Sequence, residues 1–248
     1  MESANAHGLE LERRSSNFKL CDLKSRFRIV LFDIDGTLIS TGGAGVRAFA
    51  KAFETEFGEP KGTEKMKFAG RTDVSLVREL FAQRGIEPSP KNFERFFEAY
   101  TGWLQKLIVD CVGGAYPGVL DFCAALEAMP EPPHIGLLTG NIKRGAQIKL
   151  GRFELWERFS FGAFADDHED RDQIAAVARQ RGRERSGAAV RDEEILVIGD
   201  TPFDIRCGRA IGAKILAVGT GGATMEQLRE HKPDWLVENL SKISPADL

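Results

Sequence analysis

The chain has 248 residues, enough for one large domain or two modest ones at roughly 150 residues per domain. Its net charge of −3 gives no overall attraction to nucleic acid or to an anionic membrane surface, so the expected partners are small molecules, with no nucleic acid and no membrane. Cys21, Cys111, Cys123 and Cys207 are scattered, without a CxxC pair or histidines at ligand spacing. That pattern argues against a zinc site or a disulfide framework and for a reducing, cytoplasmic setting.

Residues 1–27 are mostly polar and lack the apolar run of a signal peptide, so they read as an N-terminal tail, in which Leu9, Leu11 and the Phe18, Leu20, Leu23 cluster could dock. No later stretch reaches the roughly 18 apolar residues of a membrane span. The first strand is expected at 28–32 and ends in Asp33-Ile34-Asp35-Gly36-Thr37. Residues at i and i+2 of an extended chain point the same way, so both carboxylates can face one point beyond the strand's end. Such crowded anions need a cation. Gly36 permits a tight turn and close approach by a ligand, and the Thr37 hydroxyl can tie the loop together. These five residues equally describe a strand followed by an Asp-Gly turn, and the rest of the chain must decide.

Residues 41–114 carry helix-period apolar sets with no strand signal between them. Val46, Phe49, Ala50, Phe53 and Phe57 share one face; Val77, Leu80 and Phe81 share another. Phe93, Phe96, Phe97, Tyr100, Leu104, Leu107 and Ile108 make a third. This is a helical insertion in a core formed by 28–40 and 115–248, and its position after the first strand places it over that strand's carboxyl end, where it could exclude water. Its aromatic face is compatible with a homodimer.

Short apolar runs at 134–138, 195–198 and 214–218 alternate with helical patterns at 118–128, 143–151, 172–181 and 203–211, with further strands expected within 159–164 and at 235–237. Near-continuous hydrophobicity implies burial on both faces, hence a Rossmann-like, doubly wound α/β core with a parallel sheet. Residues 182–187, with their Arg and Glu neighbours, read as a solvated loop. The strand at 134–138 ends in Thr139-Gly140-Asn141, where a hydroxyl and loop amides before a helix can hold phosphate oxygens. The strand at 195–198 ends in Gly199-Asp200-Thr201-Pro202-Phe203-Asp204. Asp200 could cap the following helix and Asp204 could be its first-turn dipole partner. Taken together, however, the three strand ends assign acid, hydroxyl and acid to one crevice.

In these motifs the chain resembles the haloacid dehalogenase-like superfamily of hydrolases, close in pattern to its phosphoglycolate-phosphatase-like members with a helical cap. The resemblance covers about residues 28–240. Tyr116-Pro117-Gly118-Val119 is similar to the return from cap to core, and Gly70-Arg71-Thr72-Asp73 to the cap segment facing the substrate.

The resemblance implies that Asp33 is a nucleophile forming an aspartyl-phosphate and that Asp35 protonates the leaving alkoxide and later activates water. It also implies that Asp33, Asp200 and the backbone carbonyl of Asp35 hold Mg²⁺. Thr139, with Gly140 and Asn141 of its loop, would bind phosphoryl oxygens beside Gly36 and Thr37, and Asp204 would support the cation or its basic partner. That partner is Arg171, with Lys143 as the alternative. Arg71 could meet an anionic leaving group, which makes phosphoglycolate a candidate substrate. Asp35 argues against a dehalogenase, which lacks this acid. A phosphomutase with the same residues, and a catalytically silent ligand-binding or regulatory protein, stay open beside the phosphatase.

Overall fold

The structure, a computed structural model, describes residues 26–60, 62–187 and 189–248, so the expected tail before residue 26 lies outside the described residues. Six strands form one parallel sheet: β1 (Ile29–Phe32), β4 (His134–Leu138), β5 (Phe161–Ala163), β6 (Ile195–Gly199), β7 (Lys214–Val218) and β8 (Trp235–Val237). Their order is β5-β4-β1-β6-β7-β8. Ile29 and Leu31 of β1 point into one apolar cluster while Val30 and Phe32 point into another, which is why the run has no polar positions. Helices α4 (Val119–Glu127) and α5 (Lys143–Gly151) cover the face of Val30, and α6 (Arg171–Ser186) and α7 (Pro202–Ala210) cover the face of Ile29.

The chain builds outward from β1 through β4 to β5, then returns to β1's other side at β6 and proceeds to β8. This reversal leaves a crevice beyond the carboxyl ends of β1, β4 and β6, the strands that carry the three motifs.

Between β2 (Ile39–Ser40) and β3 (Gly114–Ala115) lie three helices, α1 (Ala44–Phe57), α2 (Asp73–Arg84) and α3 (Pro90–Leu107). Thr72 caps α2 by accepting from the Ser75 amide at 3.3 Å, and Ser89 caps α3 ahead of Pro90. Phe49, Phe53, Phe81, Phe96 and Tyr100 are fully buried in a third apolar cluster, in which the Phe49 and Phe96 ring centroids lie 4.7 Å apart. Ile142 and Ala165 of the sheet layer join this cluster, so the helices are seated on the crevice rather than held away from it. Val46, expected on the same face as Phe49, is 43% exposed.

Three segments differ from the sequence reading. β2 and β3 pair antiparallel, at two residues each too short to leave a periodic signal. The expected loop at 182–187 is the last turn of α6, which runs through Gly182 to Ser186. A Cβ on Gly182 would lie 2.9 Å from Ile29, so this glycine lets the helix close on β1, while the Arg and Glu neighbours form the solvated side. Phe27, read as the end of the tail, is buried edge-on against Trp235 at 6.0 Å. Among the described residues, Cys111, Cys123 and Cys207 are free, and no helix is long and apolar enough to cross a membrane.

Candidate active site

β1 delivers Asp33 and β6 delivers Asp200 to one point, both almost completely buried. One carboxylate oxygen each from Asp33, Asp200 and Asp204 lies within 4.8 Å of the others. Burial, reinforced by the neighbouring acids, raises the pKa of Asp200; burial likewise raises that of Asp33, against the pull of the Arg171 guanidinium. Such crowding disfavours three bare anions and suits a hard divalent cation bound by oxygen ligands.

The carboxylates are held in place from several sides. Asp200 accepts from the Thr37 hydroxyl at 2.9 Å and from the Gly222 amide at 2.7 Å. Gly36 turns with φ +91°, and a Cβ there would lie 2.5 Å from Asp200 Oδ2; one on Gly221 would lie 1.9 Å away. The Thr220 hydroxyl donates to the Gly36 carbonyl at 2.5 Å, so the loop after β7 clamps the turn after β1. This Gly219-Thr220-Gly221-Gly222 loop was passed over in the sequence, although four small residues after a buried strand signal a close backbone approach.

Asp204 has two duties. Its Oδ2 accepts from the Thr201 amide and hydroxyl at 2.9 and 2.7 Å, closing a capping box on α7, and its Oδ1 pairs with Arg171. Arg171 is the first residue of α6 and is 4% exposed; the same nitrogen that meets Asp204 lies 3.1 Å from Asp33. Lys143, the alternative basic partner, is exposed. The structure thus gathers Arg171, not Lys143, into the acid cluster.

At the end of β4, Thr139 is wholly buried and its hydroxyl oxygen accepts from the Asn141 side chain at 2.8 Å and amide at 3.3 Å, leaving its own proton to donate. The two amides beyond this loop are engaged by acids. The Ile142 amide donates to Asp73 at 2.8 Å and the Lys143 amide to Asp166 at 2.5 Å. The Thr37 hydroxyl ties the turn after β1 to Asp200, the tie the sequence suggested. Arg71 does border the crevice, with its guanidinium 2.5 Å from Glu79. Gly140 makes the contact between β4 and the helices: its carbonyl accepts from the Asp73 amide at 2.7 Å, and a Cβ would lie 2.3 Å from the Arg71 carbonyl.

Asp35 is held by a different set of partners. Its Oδ2 accepts from Lys149 at 2.6 Å and from Asn141 at 2.8 Å. Lys149 was not singled out in the sequence, yet Ile142, Gly145, Ala146, Lys149 and Leu150 share the buried face of α5, and a lysine on an apolar face is the available signal. Burial opposes its charge, but Asp35, Tyr100 and Asp73 outweigh that penalty and raise its pKa. Asp73 is in turn pushed up to about 6 by burial, with Lys149 pulling the other way.

Several of these groups line a cavity of about 240 Å³. Asp33, Asp35, Thr139 and Arg171 form its floor, and Phe49, Leu76 and Tyr100 of the three helices form its wall. The arrangement can place a nucleophilic carboxylate, a second carboxylate, a hydroxyl donor and a cation site around one small ligand.

The profile of the family described as haloacid dehalogenase-like hydrolase matches residues 30–218. A phosphoglycolate phosphatase of Pseudomonas aeruginosa is 25% identical over 232 residues, covering 88% of this chain and 79% of that protein. The pyrophosphatase PpaX of Halalkalibacterium halodurans is 24% identical over 212 residues, covering 85% of this chain and 92% of that protein. Among solved structures, CbbY from Rhodobacter sphaeroides in complex with phosphate shares the fold at a TM-score of 0.69 and 17% identity, covering 90% of this chain and 100% of that one.

Proposed function

The chain belongs to the haloacid dehalogenase-like hydrolase family as a phosphatase-type hydrolase, and we propose that it cleaves a small phosphomonoester with Mg²⁺ through an aspartyl-phosphate on Asp33. The observation that carries this reading is the convergence of Asp33, Arg171 and Thr139 on one cavity, with Asp200 clustered beside Asp33 and Asp35 two residues from the nucleophile.

Asp33 attacks phosphorus, and the ester oxygen leaves with a proton from Asp35. The Arg171 guanidinium and the Thr139 hydroxyl offset the like-charge repulsion between carboxylate and phosphate. Asp35 then removes a proton from the water that attacks the phosphorus of the aspartyl-phosphate, which frees inorganic phosphate and restores Asp33. Asp33 and Asp200, with the Asp35 backbone carbonyl, would hold Mg²⁺; when bound it neutralises charge on the phosphoryl oxygens. Asp204 keeps Arg171 in place.

Residues 41–114 act as a cap that closes the cavity and limits substrate size. A volume of about 240 Å³ falls below the roughly 300–1,000 Å³ of sites for drug-sized ligands. Phosphoglycolate is small enough, and Arg71 could meet its carboxylate. The scattered cysteines support a cytoplasmic site of action. The test is turnover of p-nitrophenyl phosphate with Mg²⁺, without it, and in Asp33→Asn: activity is expected only in the first, and equal activity in all three rejects the reading.

A further inference from the structure

Lys149 is the one lysine of α5 buried at the cavity, and two oxygens take protons from it. It donates to Asp35 Oδ2 at 2.6 Å and to Asn141 Oδ1 at 2.5 Å, and the charge of Tyr100 acts on it from α3. Asn141 closes the triangle by donating to the same Asp35 oxygen at 2.8 Å and to Thr139 at 2.8 Å. Around the ammonium the sequence keeps space: a Cβ on Gly45 would lie 3.3 Å from Lys149 Nζ, and one on Gly145 would lie 3.4 Å from the Tyr100 ring. Asp35 is otherwise the freest of the cavity acids, an exposed side chain on a turn.

We propose that Lys149 is a positioning residue for Asp35. With Asn141 it holds one carboxylate oxygen of Asp35 at the back of the cavity and leaves the other directed at the ester oxygen of a bound phosphomonoester. Tyr100 belongs to α3, so the support is completed by the helical segment, and the acid–base group is aligned only when that segment is seated. Arginine would not substitute, because a planar, bulkier fork does not match the compact ammonium held between Asp35 and Asn141. This role rests on the acid–base reading of Asp35 given above.

The reaction itself provides a test that a purely structural lysine would fail. A p-nitrophenolate leaves without protonation, whereas an alkoxide needs the proton from Asp35. Because kcat/KM reports only steps up to phosphoryl transfer, the ratio of kcat/KM for p-nitrophenyl phosphate to that for glycerol phosphate isolates proton donation. Lys149→Met should raise this ratio by roughly tenfold or more, part of the 10²–10⁴ typical of a placed general acid. Tyr100→Phe, which keeps the ring and the fold, should raise it by a smaller factor, and it alone decides the matter if Lys149→Met does not fold. Equal losses on both substrates, or no loss on either, overturn the inference. Asp35→Asn separates the two claims: a ratio that rises there but not in the Lys149 and Tyr100 variants defeats only the positioning role, while a ratio unmoved in Asp35→Asn defeats the acid–base reading and the inference with it.

Discussion

Arg171 lies 3.1 Å from Asp33 and pairs through the same nitrogen with Asp204, so one buried guanidinium joins the start of α6 to the end of β1 and the first turn of α7. Removing it leaves two buried carboxylates without their counter-charge. Arg171→Met should cost about 3–5 kcal/mol of stability by denaturant unfolding, the usual penalty for breaking a buried pair from one side. It should also lower kcat by roughly 10²–10³, since a preorganised cation at the phosphoryl group is lost. Arg171→Lys should lie between the two, and a kcat within a few-fold of wild type would remove Arg171 from the mechanism.

The acids also set a pH dependence that a metal should erase. Asp33 and Asp200 are raised by burial, and Asp73 is raised from 3.8 to about 6. A carboxyl with a raised pKa in the folded state binds its proton better folded than unfolded. Its stabilising contribution is therefore full below the unfolded value and lost as pH climbs through the folded one. In EDTA, Tm should fall between pH 5 and pH 8; with Mg²⁺ the fall should shrink, so that the Mg²⁺-induced rise in Tm is larger at the higher pH. A rise that is larger at pH 5 would contradict the cation site.

Gly221 approaches Asp200 too closely to carry a side chain, with a Cβ position 1.9 Å from Oδ2. Gly221→Ala should displace the carboxylate and raise the Mg²⁺ concentration needed for half-maximal activity by about tenfold, equivalent to about 1.4 kcal/mol of binding. An unchanged Mg²⁺ titration would mean that the loop after β7 does not position Asp200.

The core was legible in the sequence because a buried parallel strand shows itself as an unbroken apolar run, and each of β1, β4 and β6 ended in a motif whose chemistry made sense beside the others. Lys149, Gly221 and Glu79 were not legible in the same way. Each acts through a contact between residues distant in sequence, and a single lysine, glycine or glutamate carries no local spacing to announce it. Asp73 and Asp166, which take the Ile142 and Lys143 amides, were invisible for the same reason.

Arg71 borders the cavity while held by Glu79 at 2.5 Å on a half-exposed surface, where such a pair contributes little and can be exchanged for a substrate carboxylate. Glu79→Gln should release the guanidinium and raise kcat/KM for phosphoglycolate by a few-fold, about 1 kcal/mol, whereas Arg71→Gln should lower it by a similar factor. Neither change should alter p-nitrophenyl phosphate turnover. If both variants leave phosphoglycolate kinetics untouched, Arg71 plays no part in recognising the leaving group.

The central claim is a covalent phosphate on Asp33, and it can be read directly. Enzyme quenched during turnover of p-nitrophenyl phosphate with Mg²⁺ and treated with borohydride should yield homoserine at position 33 on peptide mass mapping, from reduction of the acyl phosphate, and none in the Asp33→Asn variant. Reduction at a different residue, or turnover with no trapped acyl phosphate at position 33, would contradict it.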